Sequence, residues 1–325
     1  MIYNEITLAI CAYNAQLYIE ETLRCILKQS FQQFDLWIVN DCSTDNTVSI
    51  VQNTLDSADR EYKIINFDTN KGLAAARAYV EQNAKTKYII FVDADDCPLP
   101  TLVEKLYNTI SNDGDLMAVG CYQKFIDENS KKIAGGMFLG AKTKEEFYHK
   151  AQNQKLIFMQ PTAIIDREVV LSVGGRNISG FPDGKPRYQD LCEDLDLWCR
   201  MSDLYTEGKA IVVVPEVLMF YRKHSASMSA SNINMQLRMR HIKTNLKRRR
   251  IGEPELSFVE FMETVTPEQI SALERENVVV TSLREGVIFF RRGRMFKGSS
   301  LIIKSIFMNP SYFWQKIVAN SGFFR

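Results

Sequence analysis

The first 120 residues repeat one pattern, in which an apolar run of strand length precedes an amphipathic segment of helix length. The apolar runs lie at residues 6–11, 34–40, 61–67 and 87–93, and the helical segments lie at residues 16–30, 43–55 and 71–84. Apolar strands that alternate with helices are typical of a parallel sheet covered on both faces. The pattern therefore predicts an α/β fold with a doubly wound, mostly parallel sheet whose ligands bind beyond the carboxyl ends of the strands.

The pattern becomes less regular after residue 120. It predicts a hairpin over 118–136, a strand, short helix and glycine turn over 162–175, a loop over 176–192, a helix over 193–205 and two short strands over 209–224. Farther on, the chain is predicted to be helical and basic. We therefore predict one domain over 1–228, divided into halves at 1–120 and 121–228, and a helical extension over 229–325.

The composition favours an ordinary globular protein, since 46% of the 325 residues are hydrophobic and 24% are charged. The net charge of +1 predicts no partner by itself. The seven cysteines include no Cys-x-x-Cys pair, and Cys11 and Cys121 lie in apolar runs, which indicates reduced core thiols and a cytoplasmic protein. The chain shows no signal-like start and no long uninterrupted apolar window, so we expect no membrane-spanning segment.

An acidic cluster follows the fourth predicted strand, where "YIIFVDADDCPLP" (88–100) places Asp93, Asp95 and Asp96 together. Like charges at a strand end repel one another unless a cation lies among the oxygens. The usual glycine-rich phosphate cradles are absent, because neither Gly-x-Gly-x-x-Gly nor Gly-Lys-Ser/Thr occurs at the expected position. The cluster therefore indicates a Mg²⁺ or Mn²⁺ ion that binds phosphate oxygens.

Six segments in a fixed order resemble a family 2 glycosyltransferase with the GT-A fold, across roughly residues 5–225. They are "AICAYN" (9–14), "WIVNDCSTDNT" (37–47), "DTNKGLAAAR" (68–77), "FVDADD" (91–96), "CEDLDLWCR" (192–200) and "YRKHSASMS" (221–229). The resemblance implies a nucleotide-sugar donor, usually a UDP-sugar, a Mn²⁺ or Mg²⁺ cofactor and inversion at the anomeric carbon. It also implies that residues 1–120 bind the donor and residues 121–228 the acceptor.

The resemblance implies a role for nine residues. In the donor half, Ala12, Tyr13 and Asn14 line the base and ribose pocket, Asp41 bonds to uracil, and Arg77 places Asp93 or the donor. Asp93 lies near the ribose or sugar, and Asp95 ligates the metal. In the acceptor half, Asp194 is the general base, and His224 reaches the diphosphate or the metal.

Several of these residues also have a purely structural interpretation. Asp41 precedes a helix that it can cap, and Glu193 and Asp194 are acids of the kind favoured at a helix N-terminus. Arg77 fits an ordinary helix-face charge, and a lone histidine such as His224 is most often structural. Asp196 is predicted to be structural because it points elsewhere on its helix.

The chain departs from the family pattern at four positions. Asn40 stands where a first Asp is frequent, Ala78 and Val80 replace Asn and Gly, and Arg176 follows Gly174-Gly175 where an aromatic residue is common. These changes leave the contacts of the third helix and of the acceptor loop open. The motif Gln-x-x-Arg-Trp is absent from the sequence, which disfavours a processive polymer synthase.

The C-terminal third is rich in basic residues. Residues 238–250 contain seven Lys or Arg and no acid, and residues 284–325 contain eight against the single acid Glu285, interleaved with aromatic and aliphatic residues. Such a region is attracted by an anionic membrane surface, which would place the protein at the inner face of the plasma membrane. The alternative is that its apolar side packs on the catalytic domain. Nucleic acid has no role in the predicted chemistry.

The predicted function is therefore that of an inverting, non-processive glycosyltransferase in cell-surface polysaccharide biosynthesis. Its acceptor would be a hydroxyl of a glycan or a lipid-linked saccharide, with a protein or small-molecule acceptor as an alternative. A third hypothesis is a catalytically silent nucleotide-binding or scaffold protein with the same fold. The Asp-x-Asp and Glu-Asp pairs of the sequence argue against that silent form.

Overall fold

The computed structural model describes residues 4–159, 162–223, 233–291 and 294–319. Its strands are β1 (Ile6–Ala12), β2 (Asp35–Asn40), β3 (Lys63–Asn66), β4 (Tyr88–Asp93), β5 (Cys97–Pro98), β6 (Leu116–Ile126), β7 (Lys132–Met137), β8 (Ala163–Asp166) and β9 (Ala210–Arg222). Its helices in the first 201 residues are α1 (Ile19–Leu27), α2 (Thr47–Asp56), α3 (Leu73–Asn83), α4 (Leu102–Ser111), α5 (Lys144–Gln152), α6 (Arg167–Ser172) and α7 (Glu193–Met201). The later helices are α8 (Ile233–Arg250), α9 (Phe258–Glu263), α10 (Pro267–Arg291), α11 (Met295–Met308) and α12 (Pro310–Ala319).

The strands form one sheet in the order β3-β2-β1-β4-β8-β6-β9-β5, with β7 paired to β6. The first four of these are parallel, which confirms the predicted doubly wound sheet. The apolar side chains of β1, β2 and β4 are buried apart from Cys11, as expected for strands covered on both faces, whereas those of the edge strand β3 are half-buried. The register aligns Ala12 of β1 with Asn40 of β2, and Cys11 with Asp93 of β4. The loops that follow β1, β2 and β4 therefore leave the sheet at one edge.

The second half of the sheet is mixed. Strand β8 runs antiparallel to both β4 and β6, and β6 forms the predicted hairpin with β7. Residues 209–224 were predicted to form two short strands, but β9 is one strand over Ala210–Arg222. Its register against β6 jumps from Val214 to Val217, so Pro215 and Glu216 bulge out of the ladder. A bulge accommodates proline because that residue has no N–H to donate.

The prediction that the cysteines are reduced is wrong for two of them. Cys25 of α1 and Cys97 of β5 form a disulfide across a sequence separation of 72 residues. The other cysteines are free thiols, and among these Cys121 and Cys199 are buried. The disulfide ties α1 to the segment directly after the acidic cluster. Sequence spacing gave no sign of this pair, because the sheet topology brings the two residues together.

The chain divides into two compact units. The first comprises Met1–Met228 and Ile242–Glu255, and the second comprises Ser229–His241 and Leu256–Arg325. Within the described ranges, none of the helices is both long enough and apolar enough to cross a membrane.

The basic run at 238–250 is largely engaged in contacts within these units. In the first unit, Arg249 and Arg250 both pair with Asp203, and Arg248 pairs with Glu253. In the second unit, Arg238 is buried and its guanidinium contacts His241 Nδ1. Much of the run that was predicted to attract a membrane therefore neutralises acids or bonds internally.

Candidate active site

Hydrogen bonds of Asn14 join the loops that follow β1 and β2. The Asn14 N–H donates to Ser43 Oγ at 3.0 Å, and Asn14 Oδ1 accepts from the Thr44 N–H at 2.8 Å. Asn14 has a φ of 47°, a left-handed conformation that asparagine adopts more readily than most residues. Beside it, Ala12 is buried and Tyr13 is half exposed. The residues predicted to line a base pocket thus lie together at the carboxyl edge, where the Asn14 amide oxygen is already bonded.

Asp41 directly follows β2 and is buried, and its carboxylate bonds to the loop that leads into α3. Oδ1 accepts from the Lys71 N–H at 2.6 Å, and Oδ2 accepts from the Gly72 N–H at 2.8 Å and from Asn70 Nδ2 at 2.9 Å. An ionised carboxylate offers about four acceptor positions. Three of them are used inside the protein, so Asp41 orders this loop and keeps about one position for a further donor.

The three aspartates at the carboxyl end of β4 have different environments. Asp93 forms an ion pair with Arg77. Asp96 is buried and accepts from the Arg222 N–H at 2.9 Å, and Arg222 Nε donates to the Asp95 carbonyl at 2.8 Å. Arg222 is itself buried, and its two bonds hold the Asp96 carboxylate and the Asp95 backbone in place, a role that the sequence did not reveal.

This cluster fits a divalent cation that binds together with a phosphate-bearing ligand. Asp96 Oδ2 is buried and has no hydrogen-bond partner among the described residues. Burial raises the pKa of Asp96 well above its usual range, and the charges of Asp93 and Asp95 raise it further. Within the described residues, no three His, Cys, Asp or Glu side chains are grouped to hold an ion by themselves. Mg²⁺ requires no such group, since one or two carboxylates suffice when phosphate oxygens complete its shell.

A chain of buried ion pairs links α3, the loop after α6, and α7. Glu81 Oε1 accepts from Arg176 Nε at 2.7 Å, Arg176 pairs with Glu193, Glu193 pairs with Arg77, and Arg77 pairs with Asp93. Both guanidinium groups lie over the ring of Phe91, at 5.1 Å for Arg176 and 5.5 Å for Arg77. We call the five charged residues the ion-pair chain. Arg77 is therefore not an ordinary helix-face charge.

Asp194 follows Glu193 in the first turn of α7 but forms no ion pair within the described residues. Burial raises the pKa of the Asp194 carboxyl, whereas the positive charges of Arg77 and Arg176 lower it. Two residues farther along, Asp196 pairs with Arg200 at 3.0 Å. Of the three acids at the start of α7, Asp194 is therefore the one whose carboxylate is not committed to an arginine.

The loop over 176–192 folds onto the segment that Asp41 orders. Arg187 Nη2 donates to the Asn70 carbonyl at 2.7 Å, and Asp190 Oδ1 accepts from the Ala74 N–H at 2.8 Å at the start of α3. Gly72 has a φ of 95°, and a Cβ there would lie 2.5 Å from Asp190 Oδ2, so this close approach requires glycine. The sequence predicted the loop but not these two contacts.

His224 lies outside the described residues, so its predicted contact stays a prediction. The ion-pair chain was also missed, although two signals for it were present. Arg176 departs from the family pattern, and Arg77 and Glu81 are charges four residues apart on an otherwise alanine-rich helix. Such a pair is normally assigned to a solvent-exposed face.

Comparison with known proteins gives a family match. The family described as glycosyl transferase family 2 matches residues 7–174. A UDP-Glc:α-D-GlcNAc-diphosphoundecaprenol β-1,3-glucosyltransferase of Escherichia coli is 27% identical over 239 residues, which cover 73% of this chain and 84% of that protein. An uncharacterized glycosyltransferase of Haemophilus influenzae is 26% identical over 226 residues, covering 69% of this chain and 67% of that protein.

Two solved structures share the fold. Residues 1–349 of TarS from S. aureus, in complex with UDP-GlcNAc, match with a TM-score of 0.56 and 18% identity over 92% of this chain and 90% of that chain. A mannosyltransferase from Pyrobaculum calidifontis, in complex with GDP-Man and Mn²⁺, matches with a TM-score of 0.52 and 16% identity over 93% and 74%. The α/β sheet with its flanking helices is thus the GT-A fold, and the chain belongs to glycosyltransferase family 2.

Proposed function

We propose that this glycosyltransferase moves a sugar from a UDP-sugar to a hydroxyl of a saccharide acceptor, with inversion and without processive synthesis. The observation that carries the proposal is the contrast between two adjacent acids. Both carboxylate oxygens of Glu193 are paired with arginines, whereas Asp194 has no such pair within the described residues. A carboxylate held in place by its paired neighbour is suited to take a proton from a substrate.

The donor would bind at the carboxyl edge of the parallel strands. Ala12, Tyr13 and Asn14 would line the base and ribose pocket, and the remaining acceptor position of Asp41 is suited to the N3–H of uracil. A ligand position beyond the carboxyl ends of parallel strands is general for such sheets. The name of the Escherichia coli glucosyltransferase gives UDP-Glc as its donor, which supports a uridine nucleotide for this chain.

A divalent cation would be held by Asp95, with Asp93 and Asp96 beside it and His224 as a further predicted contact. When bound, such an ion neutralises the charge that develops on the departing diphosphate. The chain itself would keep the acidic cluster in place through Arg77, which pairs with Asp93, and through Arg222, which donates to the Asp96 carboxylate and to the Asp95 carbonyl. The Mn²⁺ in the mannosyltransferase complex supports a metal in this fold.

Asp194 would act as the general base. An acceptor hydroxyl is a weak nucleophile at neutral pH, and a carboxylate within hydrogen-bond reach removes its proton during attack. A single base opposite the leaving group gives one displacement and therefore inversion. Because the pKa of Asp194 is raised, we expect the acidic limb of the activity profile to lie above the pH at which an ordinary aspartate titrates.

The acceptor class is proposed from the relatives. One of them acts on a diphosphoundecaprenol-linked GlcNAc. Another is a putative teichuronic acid biosynthesis glycosyltransferase of Bacillus subtilis, 38% identical over 85 residues that cover 26% of this chain and 33% of that protein. A lipid-linked or cell-surface saccharide is therefore the acceptor class that we propose.

The nucleotide and metal assignments are tested together by thermal denaturation. We expect UDP with Mn²⁺ to raise the melting temperature more than GDP or CDP with Mn²⁺, because we assign the recognition of uracil to Asp41. A ligand at a hundredfold its Kd stabilises the folded state by about 2.7 kcal/mol. The Asp95→Asn variant should keep the shift caused by UDP alone but lose the additional shift caused by Mn²⁺.

The exposed acid Glu128 offers a matched control, and Glu128→Gln should behave like the wild-type protein. Equal shifts with UDP, GDP and CDP would refute the uracil assignment, and an unchanged Mn²⁺ effect in Asp95→Asn would refute the metal assignment. Binding of UDP-sugars without any release of UDP in the presence of saccharide acceptors would favour the catalytically silent alternative.

We also propose that the second unit docks on an anionic membrane. In α11 the buried positions are the small residues Gly298 and Ser305, whereas Phe296 and Phe307 are 96% and 82% exposed. Phe296, Ile303 and Phe307 recur at helical spacing and therefore form one exposed apolar face. Several large apolar side chains of α11 thus point outward, whereas its buried positions are small residues.

The charges beside this face are complementary to acidic lipid. Arg294, Lys297 and Lys304 are exposed, and Trp314 of α12 is 60% exposed. Residues 286–325 contain no Asp or Glu. Each Lys or Arg near an anionic surface contributes roughly 1 kcal/mol of attraction. We call the following residues the α11 surface: Arg294, Phe296, Lys297, Ile303, Lys304, Phe307 and Trp314.

Vesicle flotation tests this docking. We expect the protein to float with phosphatidylcholine vesicles that contain phosphatidylglycerol, and to be released at high salt because the charges are then screened. The double variant Phe296→Ser, Phe307→Ser should lose binding, whereas Ile251→Ser, at another exposed apolar residue, should not. Absence of flotation at low salt would refute the proposal, and self-association of the unbound protein would assign the surface to a second copy.

A further inference from the structure

Arg176 and Glu81 are members of the ion-pair chain that no predicted catalytic role uses. Both side chains are 1% exposed, so each charge has left water and depends on its partner. Removing one member of a buried pair is usually far more costly than removing an exposed charge, because the other charge stays buried without compensation. Their contacts with α7 suggest a function beyond stability.

Arg176 joins two separate parts of the site. Its Nε donates to Glu81 Oε1 at 2.7 Å and its backbone N–H donates to Glu81 Oε2 at 3.3 Å, so Glu81 fixes both the side chain and the turn that carries it. The other side of the guanidinium pairs with Glu193, and its plane lies over Phe91 at 5.1 Å. The guanidinium is thereby held on three sides.

Glu193 transmits this position to Asp194. One Glu193 oxygen pairs with Arg176 and the other with Arg77, so the first residue of α7 is clamped between two cations. Cys192 before it has a φ of 56°, so the helix begins directly after a left-handed residue. Asp194 is the next residue in this clamped turn, and its direction is therefore set by the pair of arginines.

We propose that Arg176, held by Glu81, is a positioning residue that fixes the first turn of α7 and supplies a second buried cation beside Asp194. The proposal rests on the proposed function, in which Asp194 is the base. The proposal gives a function to the arginine that this chain has at position 176, where an aromatic residue is common in the family. The charge of Arg176 should affect the pKa of Asp194, whereas its hydrogen-bonding geometry should affect the position of Asp194, and the two effects are separable.

The charges around Asp194 determine in which direction each substitution should shift the pKa of this base. Burial raises the pKa of the Asp194 carboxyl, and Arg77 and Arg176 both lower it. Among the described residues, the charged or titratable groups that interact with these two arginines include Cys11 of β1, Glu81 of α3, Asp93 of β4, Asp190 of the loop over 176–192, and Glu193 of α7. Loss of the Arg176 cation removes attraction for the ionised base, whereas loss of the Glu81 charge leaves Arg176 less neutralised.

The test is the pH dependence of kcat in three variants. Arg176→Gln should move the acidic limb upward by about one pH unit, the lower end of what a nearby opposite charge produces. Glu81→Gln, which preserves size, should move the limb downward. Arg176→Lys keeps the charge but not the two-sided bonding, so its limb should stay in place while kcat falls. The donor KM should change little in all three.

Arg200→Gln is the matched control. Arg200 lies on α7, as Asp194 does, but it pairs with Asp196 and not with Glu193. The variant should lower the stability of α7 without moving the limb. Limbs that coincide in Arg176→Gln, Glu81→Gln and the wild-type protein would overturn the proposal. If Arg176→Gln does not fold, the opposite shift in the isosteric Glu81→Gln still decides the question.

Asp194→Asn, assayed in parallel, distinguishes a failure of the proposed base from a failure of the positioning role of Arg176. Full activity in this variant would remove Asp194 as base and thereby refute the proposed function. Loss of activity in Asp194→Asn together with unmoved limbs in the Arg176 and Glu81 variants would refute the positioning role alone.

Discussion

Replacement of Asp194 by Asn is expected to lower kcat for sugar transfer by about 10²–10⁴-fold, the usual contribution of a general base. Asn preserves the shape of the side chain but does not accept a proton at neutral pH. The variant should therefore bind UDP and Mn²⁺ with unchanged affinity, because donor binding is assigned to the carboxyl edge of the parallel strands. Release of UDP in the presence of acceptor measures the rate, and calorimetric titration measures the affinity.

A suitable control is Asp183→Asn, which changes an exposed acid on the loop over 176–192 and should retain the wild-type rate. Transfer at the wild-type rate by Asp194→Asn would place the base elsewhere. Glu193 and Asp196 would then be poor substitutes, because both are buried and paired with arginines. The structure therefore makes this experiment more decisive than the sequence motif did.

Replacement of Arg77 by Gln is expected to lower the free energy of unfolding by about 3–5 kcal/mol, the usual cost of breaking a buried ion pair on one side. Arg77 is 3% exposed and pairs with both Glu193 and Asp93. Its loss would leave Asp93 without its cation and Glu193 with one cation instead of two. Denaturant unfolding at neutral pH measures the effect.

Two further variants make this prediction specific. Arg24→Gln removes an exposed arginine that pairs with Glu20 along one helix, and it should change the free energy of unfolding by less than about 1 kcal/mol. Adding Asp93→Asn to Arg77→Gln should cost less than the sum of the single changes, because the carboxylate left without a partner is then neutral. Additive costs, or a loss with Arg77→Gln as small as with Arg24→Gln, would contradict the ion-pair chain.

The parallel half of the fold was predictable because its signals are local. The strands β1, β2 and β4 are apolar runs of the length that a buried strand requires, and amphipathic segments separate them. The mixed half was predicted less well. The single strand β9 was predicted as two short strands over 209–224, since the bulge that admits Pro215 within one strand depends on pairing with β6.

The sequence by itself determined the class of fold, the edge at which the candidate site residues of the parallel strands lie and the family, because these follow from periodicity and from short motifs in order. Tertiary structure alone decided which charges meet. The ion pair of Arg176 with Glu193 spans 17 positions of the sequence. The disulfide between Cys25 and Cys97 spans 72, and the hydrogen bond of Asp190 to the start of α3 spans 116. Burial makes such pairings strong, and burial is a property of the packed chain, so no local pattern encodes which acid of α7 is clamped and which stays available for chemistry.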